Sequence, residues 1–325
     1  MHHRGVTLIE LLVGLVIGLV ISSAAVSLFT VTRATTRATQ SVQDVNEIGR
    51  AALDFIAREI EQAGSFPNYT HLKPIGNASD LVPGQFDTAQ LQYNTVGTTN
   101  GSLVHRALPA GLFGCTQQQY NPTTGTCTGS SPFDTVVVQR FEAANNITRP
   151  QDCNSNDVTN DLVNMALFNT APINVDTPVL VSNILAISQP ESYRNVDNVT
   201  NSLGNLGCRG LIDATLTPVL EGVVDLVLRY QIFTDPNTRQ GTRLVPANQV
   251  PNWNLISAVN VCIVVRSMMS ARTTQNQTVS NVDSANSRSC PGSSVTNNFN
   301  AALNNSFLYR KFERTVALRS SVLLR

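Results

Sequence analysis

Apolar residues fill the chain from Leu11 to Thr32, a 22-residue run without one charged side chain. A helix of that length rises about 33 Å at about 1.5 Å per residue, enough to cross a hydrocarbon core of about 30 Å. The pattern then changes. From Thr30 to Ala63 there is no Pro and one Gly, Gly49, and apolar residues recur at Val42, Val45, Ile48, Ala52, Phe55 or Ile56, and Ile60. Steps of three and four put these on one helix face, while Asp44, Glu47, Arg50, Asp54, Arg58 and Glu61 take other angles. Gly64 and Pro67 are a stop signal. No breaker separates the two patterns, so they predict one helix from about Leu8 to Ala63, about 84 Å long. Its second half should lay an apolar stripe on a following domain. A coiled-coil stalk would need sustained apolar heptads, which the Thr/Arg/Ala-rich stretch from Thr30 to Ser41 lacks.

Beyond the helix, residues 65–325 are rich in Asn, Thr, Ser and Gly, with short β-branched runs between turn signals. Strands are expected at Phe133–Arg140, Val179–Ser188, Gly222–Thr234, within Leu255–Met269 (Val259–Arg266 above all), and at Phe312–Leu318. Runs of strands after one long helix argue an α+β fold with an antiparallel sheet.

Glu10 is the awkward residue of the opening stretch. An acid at the edge of a membrane-length run is costly and calls for a partner. A secretory signal peptide would have a basic start, a shorter apolar core and a small-residue cleavage site. Ala25-Val26-Ser27 loosely offers that site, but the run continues past it and Glu10 is out of place. Gly14 and Gly18 have the GxxxG spacing that lets membrane helices approach closely, a pattern common in apolar helices. Arg4-Gly5-Val6-Thr7-Leu8-Ile9-Glu10 followed by the apolar run resembles the leader of type IV pilins and pseudopilins. The resemblance implies cleavage after Gly5 by prepilin peptidase, N-methylation of the new terminus Val6, and a subunit-register role for Glu10, the fifth mature residue. The family usually has Phe or Met where this chain has Val6.

The C-terminal half carries a second resemblance. Leu220–Tyr230, Trp253, Ala258–Ser267 and Phe312–Arg319 look, in order and spacing, like segments of the PilW family of minor pilins, with Ser320 where that family usually has Asn. The resemblance implies a type IV pilin-like fold. Residues 1–5 would be a leader and 6–64 a helix, transmembrane over about 8–30 and amphipathic over about 31–63. Residues 65–325 would be a β-rich periplasmic domain.

Six cysteines, Cys115, Cys127, Cys153, Cys208, Cys262 and Cys290, all follow the apolar run. An even number on one side suits an oxidising periplasm. Six allow fifteen connectivities and sequence does not choose among them. The working expectation joins Cys115 to Cys127 and Cys262 to Cys290, each closing a local polar loop, and leaves Cys153 with Cys208. A metal site lacks a close CxxC pair, and His71 and His105 are far from any Cys. Asp152, Asn154, Asn156 and Asp157 resemble half of a Ca²⁺ loop without its Gly and closing Glu, so a polar turn is expected.

No catalytic motif of the familiar kinds occurs, and no catalytic residue or cofactor is expected. Formal charge is zero, 22 basic against 22 acidic residues, with Lys only at Lys73 and Lys311. No basic tract marks a duplex nucleic-acid site. Arg33 and Arg37 just past the apolar run oppose a simple positive-inside count.

The resemblance implies a non-enzymatic minor pilin, anchored in the bacterial inner membrane and then built into a type IV pilus tip. There it would prime assembly and support twitching motility, adhesion or DNA uptake. Its partners would be prepilin peptidase, other minor pilins, the major pilin and a tip adhesin. The alternatives are a J-type minor pseudopilin of type II secretion and a membrane-anchored periplasmic enzyme or sensor.

Overall fold

A computed structural model describes residues 8–65, 92–95, 103–106, 111–122, 124–144, 150–158, 177–188, 192–194, 200–202, 204–210, 213, 215–235, 240–268, 290–292 and 308–318. Leu8–Glu61 form one α-helix, α1, of 54 residues. It is unbroken because no Pro interrupts the backbone ladder and its two glycines in the apolar half, with Gly49, are isolated. The chain leaves it through Gly64, whose φ of +68° only glycine adopts without steric cost. The Gly64 N–H donates to the Gln139 carbonyl at 2.9 Å, fixing the helix exit to the strand beside it.

The strands in chain order are β1 (Gln92–Thr95), β2 (Leu103–Arg106), β3 (Leu112–Cys115), β4 (Gln119–Asn121), β5 (Thr126–Thr128), β6 (Thr135–Ala144), β7 (Thr177–Ser188), β8 (Ser192–Arg194), β9 (Thr200–Ser202), β10 (Asn205–Arg209), β11 (Thr217–Glu221), β12 (Val223–Phe233), β13 (Thr242–Val245), β14 (Ile256–Arg266) and β15 (Tyr309–Ala317). One sheet has the order β11-β10-β7-β6-β3 and a second the order β13-β12-β14-β15. All these pairings are antiparallel. The pairs β1–β2, β4–β5 and β8–β9 stand apart as two-stranded ladders. The fold is α+β: one long N-terminal helix, apolar in its first half, followed by antiparallel sheets.

The two sheets and the second half of α1 share a core. Ile56 and Ile60 of the helix meet Val136 of β6, Leu185 of β7, Leu226 of β12 and Ile263 of β14, all fully or almost fully buried. A smaller cluster around Val227, Val264 and Tyr309 covers the other face of the second sheet.

Every expected long strand has a counterpart, with informative differences at the ends. The sequence places Gly222 at the head of a strand. Instead Gly222 is the break between β11 and β12, with φ +87°. Its N–H donates to Gly204 at 3.1 Å in the first sheet's region, and its carbonyl accepts from Arg266 N–H at 2.8 Å in the second. The chain thus changes sheets at one residue. The strand expected at Val259–Arg266 extends back to Ile256, directly after a 3₁₀ turn at Trp253–Leu255. On the helix, Val42 is not part of the docked stripe: it is 36% exposed, while Ser41 is buried at 1%. The stripe begins one residue earlier because contact with the domain starts there.

Candidate assembly interface

The helix divides into an unburied half and a docked half. From Leu8 to Val31 every large apolar side chain is at least 52% exposed. Mean hydropathy in this part reaches 2.5 and the rest of the chain buries none of it. Exposing that much apolar surface to water is unfavourable, at about 25 cal/mol per Å², so the segment is built for a lipid or helical environment. Glu10 sits exposed in the first turn. At Gly14 and Gly18 an added Cβ would meet nothing within 4 Å, so the surface there is open to a neighbour. Gly5 and Val6 lie outside the described residues, as does the rest of the leader.

A threonine-rich belt follows. Thr30, Thr32, Thr35, Thr36 and Thr39 each donate their hydroxyl to a backbone carbonyl three or four residues back, at 2.8 to 3.1 Å. This satisfies the hydroxyls within the helix itself.

The docked half is held by shape, then by charge. Phe312 of β15 packs on Gly49, where a Cβ would lie within 2.6 Å of three ring carbons. A helical Gly costs about 1 kcal/mol against Ala; here the missing side chain is the seat of the ring. Arg310 donates to Asn46 Oδ1 at 2.6 Å, and Arg314 pairs with Asp54 at 2.6 Å. Both are surface contacts worth little each.

The stronger link lies near the helix end. Glu59, 7% exposed, accepts from Arg140 Nη1 at 3.0 Å and from Asn183 Nδ2 at 2.6 Å. Arg140 on β6 also pairs with Glu142. Asn183 on β7 accepts the Cys153 N–H at 3.2 Å. One carboxylate thus fixes the helix to two strands of the first sheet. Sequence reasoning missed this cluster. The readable signal was an acid at Glu59 inside the apolar set Ile56, Ile60 and Ala63.

Asp134 joins the two sheets. Its carboxylate accepts from Gln117 N–H at 2.9 Å and Leu228 N–H at 2.8 Å, with Arg229 Nη1 at 3.7 Å. Burial raises its pKa above the usual 3.8, against the lowering pull of those two N–H groups and of Arg229. Trp253 packs between Phe113, tilted at 42° with centroids 4.7 Å apart, and Tyr230, edge-on at 5.0 Å. Gly114 leaves the space that the Tyr230 ring end fills. Burial, then the nearby Asp134 charge, pushes the Tyr230 hydroxyl well above its ordinary pKa.

The cysteines pair as Cys115–Cys127, Cys153–Cys208 and Cys262–Cys290, with Cα separations of 5.6, 6.2 and 5.8 Å. The first ties β3 to β5, the second ties the 150–158 turn to β10, and the third ties β14 to residues 290–292. Arg229 Nη2 donates to Pro291 O at 3.0 Å and Gln117 Nε2 to Gly292 O at 3.2 Å, holding that last segment down. Asp152 Oδ1 accepts from the Asn154 and Asn156 N–H groups at 2.8 and 2.9 Å, which makes the oxygen-rich loop a self-bonded turn. Among the described residues no group of three or more His, Cys, Asp or Glu is placed to hold a metal. His71 lies outside the described residues; His105 is on β2, paired with Tyr93.

Residues 194–320 match the family described as Type IV Pilus-assembly protein W, and residues 1–26 match the prokaryotic N-terminal methylation motif. The first match takes in β9 to β15, hence the whole second sheet on which the helix docks. No curated protein matches the chain. A type IV-like pilin from Thermus thermophilus aligns over 85% of this chain and 96% of its own, at 10% identity and a TM-score of 0.33. The chain thus joins a prokaryotic N-terminal methylation motif at its start to a segment in its second half that matches the PilW family of type IV pilus-assembly proteins.

Proposed function

We propose that this protein is a non-catalytic minor pilin that primes assembly of a type IV pilus and is incorporated at its tip. The observation that carries the reading is the divided helix: an unburied apolar half continuous with a half keyed to a β-domain. Such a helix serves first as an inner-membrane anchor and then as the packing element of a filament. Residues 1–5 are the leader, 6–64 the helix and 65–325 a periplasmic domain, where oxidising conditions keep the three disulfides closed.

Prepilin peptidase cuts after Gly5 and leaves a charged amine, the methylation site, on Val6. Glu10 sets axial register by pairing with that amine on a neighbouring subunit. A buried ion pair of this kind gives specificity more than stability, since a mismatched register leaves one charge uncompensated. The domain supplies lateral fit to other minor pilins, to the major pilin and to a tip adhesin. The filament then supports twitching motility, adhesion or DNA uptake.

Mass spectrometry of the protein coexpressed with the peptidase tests the reading. A mature chain starting at Val6 supports it, and an intact Met1 overturns it. Glu10→Ala should stay membrane-inserted and lose piliation; normal piliation would remove the register role.

A further inference from the structure

We infer that Arg33 and Arg37 form a binding site for the phosphodiester headgroup of a phospholipid in the leaflet on the domain side of the membrane. The inference rests on the anchoring role proposed for the first half of the helix.

The two arginines are four residues apart, so they stand on one face about 6 Å from each other. With Phe29, Thr32 and Thr36 they line one shallow groove. The Arg33 guanidinium lies over the Phe29 ring at 4.2 Å from its centroid, turned back along the helix toward the apolar run. Helical side chains lean toward the N-terminus, which aims Arg37 the same way. Among the described residues neither guanidinium has a carboxylate partner. The Thr32 and Thr36 hydroxyls are occupied by the Leu28 and Thr32 carbonyls at 2.8 and 2.9 Å. The ligand therefore meets guanidinium donors, and such forks fit a phosphate bidentately.

Position makes the choice of ligand. The exposed apolar stretch ends at Val31, about 35 Å from Leu8 at about 1.5 Å per residue. Arg33 and Arg37 then lie about 3 and 9 Å further on, in the layer where phosphates sit outside the hydrocarbon. Charge there opposes the usual cytoplasmic bias of basic residues, so orientation does not account for the pair. A headgroup clamp does. It fixes the depth of the helix and is the contact released when the subunit leaves the bilayer.

The test uses the full chain in nanodiscs of phosphatidylethanolamine and phosphatidylglycerol. Native mass spectrometry after mild detergent extraction counts retained phosphatidylglycerol, and carbonate extraction reports insertion. Each guanidinium near a membrane surface is worth about fivefold in lipid affinity. Arg33→Gln with Arg37→Gln should therefore retain about 25-fold less phosphatidylglycerol while resisting carbonate like the parent. Equal retention by two inserted proteins overturns the headgroup site alone. Displacement of the lipid by excess inorganic phosphate overturns the lipid as the source. Carbonate release of the parent protein overturns the anchoring on which the site rests.

Discussion

Gly49 offers the sharpest test of how the helix is seated. In Gly49→Ala the new Cβ falls within 2.6 Å of three Phe312 ring carbons, whereas carbons in contact sit about 3.5–4.0 Å apart. The ring must retreat by roughly 1 Å, with the Arg310 guanidinium 5.6 Å from its centroid on the way. Overpacking of that size costs about 1–3 kcal/mol. The Ala methyl returns about 1 kcal/mol of helix propensity, so a net loss of about 0–2 kcal/mol is expected. In a Phe312→Leu background the clash disappears and the same Gly49→Ala change should stabilise by about 1 kcal/mol. The coupling between the two sites is then about 1–3 kcal/mol, of the size found for residues in direct contact. The single tryptophan, Trp253, lies against Phe113 and Tyr230 in the domain and reports unfolding by fluorescence. Urea titration of the full chain in detergent, over the four proteins of the cycle, gives the energies. Equal stabilisation by Gly49→Ala in both backgrounds would refute the seat.

Glu59→Ala should cost about 1–3 kcal/mol, because Arg140 keeps Glu142 while Arg140 and Asn183 each lose a buried hydrogen bond; the same urea titration reads it. Glu59→Gln keeps the shape and should cost less, and a loss below about 1 kcal/mol for the Ala variant would remove Glu59 as the helix lock. Asp134 has a folded pKa above 3.8, so the native state binds more protons than the unfolded state between 3.8 and the raised value. Its contribution is then largest below pH 3.8 and falls as pH rises through that window. Asp134→Asn should flatten this part of the stability–pH curve, and an unchanged slope would contradict the assignment. Removing disulfides by paired Cys→Ser changes should rank with the loops they close, of 55, 28 and 12 residues. The chain-entropy relation gives about 4.2, 3.6 and 2.8 kcal/mol for Cys153–Cys208, Cys262–Cys290 and Cys115–Cys127; a reversed order in thermal unfolding would refute that account.

The parts of the fold legible in the sequence were those with long periodic signals. Two hydrophobic periods joined without a breaker read directly as α1. The β-branched runs around Val136, Val181, Val227 and Val261 read as β6, β7, β12 and β14. Short strands escaped because three to five residues carry no usable period: β3 is Leu-Phe-Gly-Cys, and β10 contains Gly207. Gly222 was misplaced because its role depends on sheets that meet only in three dimensions. The unburied half of α1 was legible as an apolar run with an acid, Glu10, at its head. The charge cluster around Glu59 was not, since its partners Arg140 and Asn183 are 81 and 124 residues away. The Phe312 ring likewise gave Gly49 a meaning no local pattern contains.

The disulfides have a mechanical consequence. Their three loops follow one another along the chain without overlap, and none includes a residue of α1. Under tension each loop withholds its own length from extension, so the domain resists being drawn out in three separate places. The helix has no such tether. Tension drawn between α1 and the domain loads the non-covalent contacts at Gly49, Asp54 and Glu59, whereas a stapled loop lengthens only if its disulfide breaks.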